Sequence, residues 1–421
     1  MNEYVICGSP DTGVPLAAND SSAQAGVATP LLRHHVCYSF EDARDFRTAW
    51  DGLALDCGDV FCTFDWCETW WRHFGVGRPL EIHTVWEDKR LIAVVPIHRH
   101  TLTVAGVPLR TVQLVGCDHA LAPAGLSVRP EYAADIARRL VSAASDRGPW
   151  DVLHLGPLCS YATVVQKIGR ASIGLRAAGL VVLGERDDCS AVYKLPGTYD
   201  EYLATMLGPE RRNVLRCEHK LHADHDVCVA VAGTPAECEE AVNALIQLHE
   251  ELWRAKGRLG QFVEWPGFER FYRDAAATQA RQGRLLMVTV KADGQIVGAE
   301  SGYILGSRAH AIIRGYRCDD TWRLYSLGRV LHCGLVREAI RRGAQTLDDG
   351  AGVFEYKHRL GAEFQCLQSV TIVRRGVTPR LRVWLATRLT YFSYRVHWIW
   401  VNKLRRLGFR RLGLYHERPI K

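Results

Sequence analysis

The chain has 421 residues, 48% hydrophobic and 24% charged, the balance of a soluble globular protein with room for two ordinary domains. The formal charge of +7 is unevenly placed: residues 377–421 hold eleven Lys/Arg against one Glu, a balance of +10, so the preceding 376 residues carry −3. No apolar run approaches the ~20 residues of a membrane-spanning helix, and the start, MNEYVICGSPDTG, lacks the basic and apolar regions of a secretory signal, so a cytoplasmic protein is expected. The fourteen cysteines form no Cys-x-x-Cys pair and no zinc-spaced Cys/His cluster. Cys62, Cys67, Cys228 and Cys333 sit within apolar patterns and read as small buried hydrophobes.

Residues 1–33, rich in Ala, Gly, Ser, Asp and Pro, read as a flexible lead-in. A first domain spans 34–188 and opens with the strand-like HHVCYSF. Phe64, Trp66, Trp70, Trp71 and Phe74 follow at three- and four-residue spacing, as on a partly buried helix. Next come the hairpin pattern LEIHTVWEDKRLIAVVPI, the strand or strand pair VAGVPLRTVQLVG, the loop Cys117-Asp118-His119, a helix over 131–145 and a strand in WDVLHLG. A second domain spans 189–376: a strand in AVYKLP, a basic helix over 199–222 and an apolar-periodic helix over 237–257 that stops at Gly257. His249-Glu250-Glu251-Leu252-Trp253 has Trp where a zinc helix needs its second His, so no metal is expected.

One pattern is repeated. LLMVTVKADGQIVGAESGY at 285–303 matches the first hairpin at an offset of 205 residues, with Asp88 over Asp293 and Thr84-Val85 over Thr289-Val290. A helix (328–342) and a short strand (344–350) follow the second copy as they follow the first. A hairpin, helix and strand recurring at half the chain length predict a duplicated α/β unit, with an active site able to form between the halves.

The richest chemical segment runs from 309 to 361. A strand at 309–316 leads through a polar loop into Ser326-Leu327-Gly328, where a helix begins. Unpaired N–H groups and the helix dipole make such a junction an anion site, which Arg329 and Arg323 can supplement.

Tyr325-Ser326-Leu327-Gly328, Leu347-Asp348-Asp349-Gly350 and Tyr356-Lys357-His358-Arg359-Leu360-Gly361 resemble motifs of the bacterial CelD/BcsL-type acetyltransferases. These are GNAT-like proteins of cellulose and exopolysaccharide biosynthesis, related to the FemAB peptidyltransferases. Phe64-Asp65-Trp66, Val95-Pro96-Ile97, Arg211-Arg212 and His249 with Trp253 and Gly257 agree, so the resemblance spans roughly 37–375. This chain departs from the family in having Leu327 where Pro is usual; Leu keeps the N–H that Pro lacks.

The resemblance implies tandem GNAT-like domains and acyl transfer, acetyl-CoA being the expected donor. Its pyrophosphate would lie on 326–331, including Ser326, Leu327, Gly328, Arg329 and Val330, with the thioester beside strand 309–315. The acceptor, an amine or hydroxyl of a sugar or polysaccharide precursor, must lose a proton, and the departing thiolate must gain one. Asp348 and Asp349 at the end of a buried strand, His249, Glu300 within a hairpin strand and Tyr356 are the candidates for that chemistry. Lys357, Arg211, Arg212 and Trp253 are candidates for holding substrate. The second half is expected to carry the donor site, because nothing near Gly116 matches Ser326-Leu327-Gly328.

Residues 377–414 interleave arginines with Trp384, Tyr391, Phe392, Tyr394, Trp398 and Trp400, a basic helical tail suited to an anionic membrane or a membrane synthase. Nucleic acid is the less expected partner. Two rival readings stand beside acetyl transfer: a FemAB-like aminoacyl or peptidyl transferase fed by charged tRNA, and a non-catalytic scaffold at a membrane polysaccharide synthase.

Overall fold

The computed structural model describes residues 32–104, 106–116, 125–159 and 181–399. The expected lead-in (apart from its last two residues), the Cys117-Asp118-His119 loop and the tail beyond 399 lie outside them.

The first half contains β1 (Leu32–Cys37), α1 (Arg47–Cys57), α2 (Phe64–Phe74), β2 (Leu80–Glu87), β3 (Arg90–Val104), β4 (Val107–Leu114), β5 (Ser127–Val128), α3 (Ala133–Asp146), β6 (Val152–Cys159) and β7 (Val181–Lys194). The second contains α4 (Tyr199–Thr205), α5 (Gly208–Asp224), β8 (Val227–Val231), α6 (Pro235–Ala255), α7 (Gln261–Glu264), α8 (Phe268–Arg281), β9 (Leu285–Ala292), β10 (Gln295–Leu305), β11 (Arg308–Tyr316), α9 (Leu327–Arg341), β12 (Thr346–Ala351), α10 (Glu355–Arg359), β13 (Glu363–Val373) and α11 (Val377–Ile399).

The repeat is structural. Both hairpins turn on an Asp in the left-handed region, Asp88 at φ 51 and Asp293 at φ 52, a conformation Asp tolerates better than most residues. In each half the strand after the hairpin pairs in parallel with the strand after the helix: Thr111 with Val152, and Arg308 with Thr346. This is the α/β fold of two like units expected from the sequence.

The halves share one sheet, in the order β1-β2-β3-β4-β6-β13-β7-β12-β11-β10-β9-β8. The boundary drawn at 188/189 falls inside β7, and β13 of the second half lies between β6 and β7. Away from the sheet, α2 packs on α8 through an aromatic cluster in which Trp66 meets Phe271 and Tyr303 edge-on. Burying each such ring contributes about 1.5–3 kcal/mol, so this cluster is a second bond between the halves. Of the expected core aromatics Phe64, Trp66 and Trp70 are buried, with Trp71 and Phe74 packed against them. Cys62, Cys67 and Cys333 are buried as expected, but Cys228 is exposed because β8 is an edge strand.

The tail helix begins at Val377 and packs on β4, β13 and β3. Arg382 reaches Asp151 at 3.1 Å, which Arg110 also holds at 2.7 Å; these arginines keep the Asp151 carboxyl below its usual range despite its burial.

Candidate active site

Strands β11 and β12 are paired only over Arg308–His310, against Thr346, Leu347 and Asp348. A bulge that leaves Ile312 unpaired opposite Ser301 and Gly302 then bends β11 away. Beyond it, the β11 edge and the residues after Asp348 diverge and open a cleft of about 1200 Å³. One wall is 311–316; the others are the start of α9 (Ser326 to Arg329), Asp349 to Ala351 with α10, and the end of α6 with His249 and Trp253. A free strand edge presents N–H and C=O groups that an extended amide-bearing ligand can pair.

Two glycines make this geometry possible. A Cβ on Gly315 would lie 2.4 Å from the backbone nitrogen of His249, so only glycine lets α6 rest on β11. A Cβ on Gly328 would lie 3.0 Å from the Tyr316 ring, so the first turn of α9 stays open. Ser326 precedes that turn at φ 48, an unfavourable conformation for a non-glycine residue, and Ser326 to Arg329 line the cleft.

The polar centre is Arg314. Its guanidinium donates to Glu300 Oε1 at 2.7 and 3.1 Å and to Asp349 Oδ1 at 2.8 Å, tying three adjacent strands. Glu300 is 1% exposed. Burial pushes its carboxyl up to about 7; Arg314 pulls the other way and Asp349 adds to the rise. Lys357 donates to the carbonyls of Asp349, Gly350 and Ala351 at 2.7, 3.1 and 3.3 Å, holding the end of β12. His249 Nδ1 is 3.0 Å from Arg314 O; a carbonyl only accepts, so Nδ1 carries the proton. Nε2 lies 2.5 Å from the side-chain oxygen of Gln261, and burial lowers the pKa of the ring. Burial raises the phenols of Tyr316 and Tyr356, so both are protonated at neutral pH.

The structure thus brings His249, Trp253, Glu300, Ser326, Leu327, Gly328, Arg329, Asp349, Tyr356 and Lys357 to one cleft. Others stand elsewhere. Asp348 is on the opposite face of β12 from Asp349, where its carboxylate accepts from the Ser190 hydroxyl and from Gly350 N at 2.8 Å. Val330 packs among Leu221, Val290 and Leu331. Arg211 and Arg212 are exposed on α5, away from the cleft lining. Arg329 is bound to Glu210, so its charge is already partnered. Arg314, Gln261 and Tyr316 were not among the candidates read from the sequence; Arg314 is invisible there because its importance depends on facing Glu300 across a strand pair.

Glu300 gives a stability prediction. Its folded pKa lies above its unfolded value, so the folded protein binds the extra proton between about pH 4.5 and 7. Stability from this group is therefore fully present below about pH 4.5 and is lost as pH rises to about 7, on the order of 3 kcal/mol in all. Urea denaturation at pH 5.5 and 8 should show about 2 kcal/mol of that decline in the native chain and a flatter dependence in Glu300→Gln.

Residues 209–358 match the family described as an acetyltransferase (GNAT) domain, a stretch that runs from α5 into α10 and holds all of the cleft lining but Leu360. Over that stretch the chain is similar to GNAT-type acyltransferases. The fold is similar to the crystal structure of FemX, with a TM-score of 0.57 at 10% identity over 78% of this chain and 96% of that one. Looser likenesses are the C-terminal domain of a putative lysylphosphatidylglycerol synthetase from Agrobacterium fabrum (TM-score 0.45, 10% identity, 82% of this chain and 97% of that one) and a tandem GNAT protein from the clavulanic acid pathway (0.41, 16%, 82% and 100%). Neither superposes closely enough to bear on function. No curated protein matches the sequence.

Proposed function

We propose that the chain transfers an acyl group, acetyl foremost, from its CoA thioester to an amine or hydroxyl, with a sugar or polysaccharide precursor as the acceptor class. The observation that carries this reading is the split between β11 and β12 ending at an open helix start. The pantetheine amides would pair with the edge of 311–316, and the pyrophosphate would rest on the N–H groups after Ser326. Asp349, whose Oδ2 has no hydrogen-bond partner, takes the acceptor proton as nitrogen or oxygen attacks the thioester carbon. Tyr316 or Tyr356 protonates the thiolate as the C–S bond breaks. Arg314 fixes the carboxylates, and His249 fixes the carbonyl of Arg314.

Calorimetric titration of acetyl-CoA into the full chain tests this. Saturable one-site binding is expected. No binding, with charged tRNA bound instead, would replace the reading with aminoacyl transfer.

The tail is proposed to contact an anionic membrane surface. Leu381, Trp384, Phe392 and Val396 are exposed on α11, and residues 377–421 carry +10. Among the described residues no helix is long and apolar enough to cross a membrane, so the contact would be peripheral. Sedimentation with phosphatidylglycerol vesicles should pull down the full chain and lose it in a chain ending at Gly376, and in high salt.

A further inference from the structure

Two cysteines face each other across the strands that join the halves. In the antiparallel pair of β7 and β13, Cys189 stands directly opposite Cys366, and their sulfurs are 3.7 Å apart, one thiol donating to the other. Both are half-buried, whereas Cys62, Cys67, Cys217 and Cys333 are buried. The carbonyl of Cys189 accepts from Gly352 N at 2.9 Å, on the β12 side, so its backbone does not bond β13 at this position. Opposed residues of that kind have Cα atoms about 4.5 Å apart, inside the range that a disulfide spans. An S–S bond of about 2.05 Å asks each sulfur to move by about 0.8 Å, which side-chain rotation supplies while both strands stay in place.

The pair stands at the seam of the molecule. β13 is the strand of the second half that lies between β6 and β7, so a bond from Cys366 to Cys189 staples that seam. It also stands beside the cleft. Ser190 sends its hydroxyl to Asp348, on the side of the sheet away from the cleft, so alternation turns Cys189 toward the face on which Asp349 lies. Gly352, which Cys189 holds, directly follows the cleft-wall residues Asp349 to Ala351. Half-buried sulfurs on that face are within reach of a small molecule from solvent.

We propose that Cys189 and Cys366 form a redox-responsive modification site, a dithiol that closes to a disulfide when small-molecule disulfides accumulate and reopens when they are reduced. The oxidant is a disulfide of the oxidised-glutathione type. One cysteine attacks it as the thiolate, which forms a mixed disulfide and releases one small thiol. The other cysteine attacks the protein sulfur of that mixed disulfide, which forms the Cys189–Cys366 bond and releases the second small thiol. The cysteine pair loses two electrons and two protons, and the small disulfide gains both as it becomes two thiols. A partly exposed disulfide is of the labile kind, so excess small thiol reverses the exchange. Closed, the bond fixes β7 to β13, and with β7 the carbonyl that holds Gly352 beside the cleft wall.

Peptide mapping of the folded full chain after incubation with oxidised glutathione tests the proposal, and it needs neither acyl donor nor acceptor. Remaining thiols are alkylated and the chain is cut with trypsin. The expected result is that peptides 187–194 and 360–374, each with one cysteine, appear joined at the mass of the pair less two hydrogens. Both cysteines should be lost to alkylation together, and dithiothreitol should restore both. In Cys366→Ser, Cys189 should instead retain a glutathione, because no facing thiol resolves the mixed disulfide. The joined peptides in the native chain carry the test even if the variant fails to fold. No joined pair from the folded chain, or one that forms only after unfolding in urea, would overturn the proposal. So would a native chain that ends with glutathione on both cysteines.

Discussion

Arg314→Met is expected to destabilise the fold by about 3–5 kcal/mol at pH 8 and to lower acyl transfer by at least about 100-fold. The guanidinium is the hydrogen-bonding partner of one oxygen on each of two carboxylates, on β10 and β12, and both side chains are less than a tenth exposed. Methionine fills much of the volume but leaves two like charges buried together. At pH 5.5 the deficit should shrink, because Glu300 can then shed its charge by taking a proton. Arg314→Lys restores one charge but not the fork that spans both acids, so it should fall between. Urea denaturation of the three proteins at both pH values checks this. A pH-independent loss would mean that Arg314 acts through packing rather than charge.

Gly328→Glu should weaken acetyl-CoA by about 100-fold or more while leaving the fold intact. The new Cβ meets the Tyr316 ring at 3.0 to 3.3 Å, a contact that a small ring shift relieves. The carboxylate sits in the first turn of α9, where negative charge suits the helix dipole, so stability should hold. Its charge stands where the donor's phosphates would bind, and about 2.7 kcal/mol of repulsion is a 100-fold change in affinity. Gly328→Ala, adding size without charge, should lose much less. Calorimetry on the three proteins, each with its thermal midpoint, separates repulsion from misfolding.

Much of this arrangement was legible in the sequence because it is local. The two hairpins declared themselves through Asp turns between β-rich runs, and the α9 start through a small residue at a strand–loop–helix junction. Asp348-Asp349 marked β12, but alternation sends one side chain to each face, and only the paired strands decide which enters the cleft. Non-local features stayed hidden. Nothing in residues 363–373 says that β13 inserts between β6 and β7, and so the 188/189 boundary cut through a strand. Arg314 was one arginine among many until Glu300, Asp349 and the register of three strands placed it between two acids. His332 looked like any helix residue, since the hydroxyl that lies 2.9 Å from its Nε2 comes from Tyr202, 130 positions earlier. Lys357 was read as a cation for substrate because the motif gives its charge but not the carbonyls it caps.

The central claim is that an acyl thioester lies along the edge of β11 with its phosphates on α9. Amide hydrogen exchange of the full chain with and without saturating acetyl-CoA tests it most directly. The expected result is slowed exchange in peptides covering 311–316 and 326–331, with the matching segments of the first half unchanged. Protection confined to the first half, or none at either segment, would contradict it.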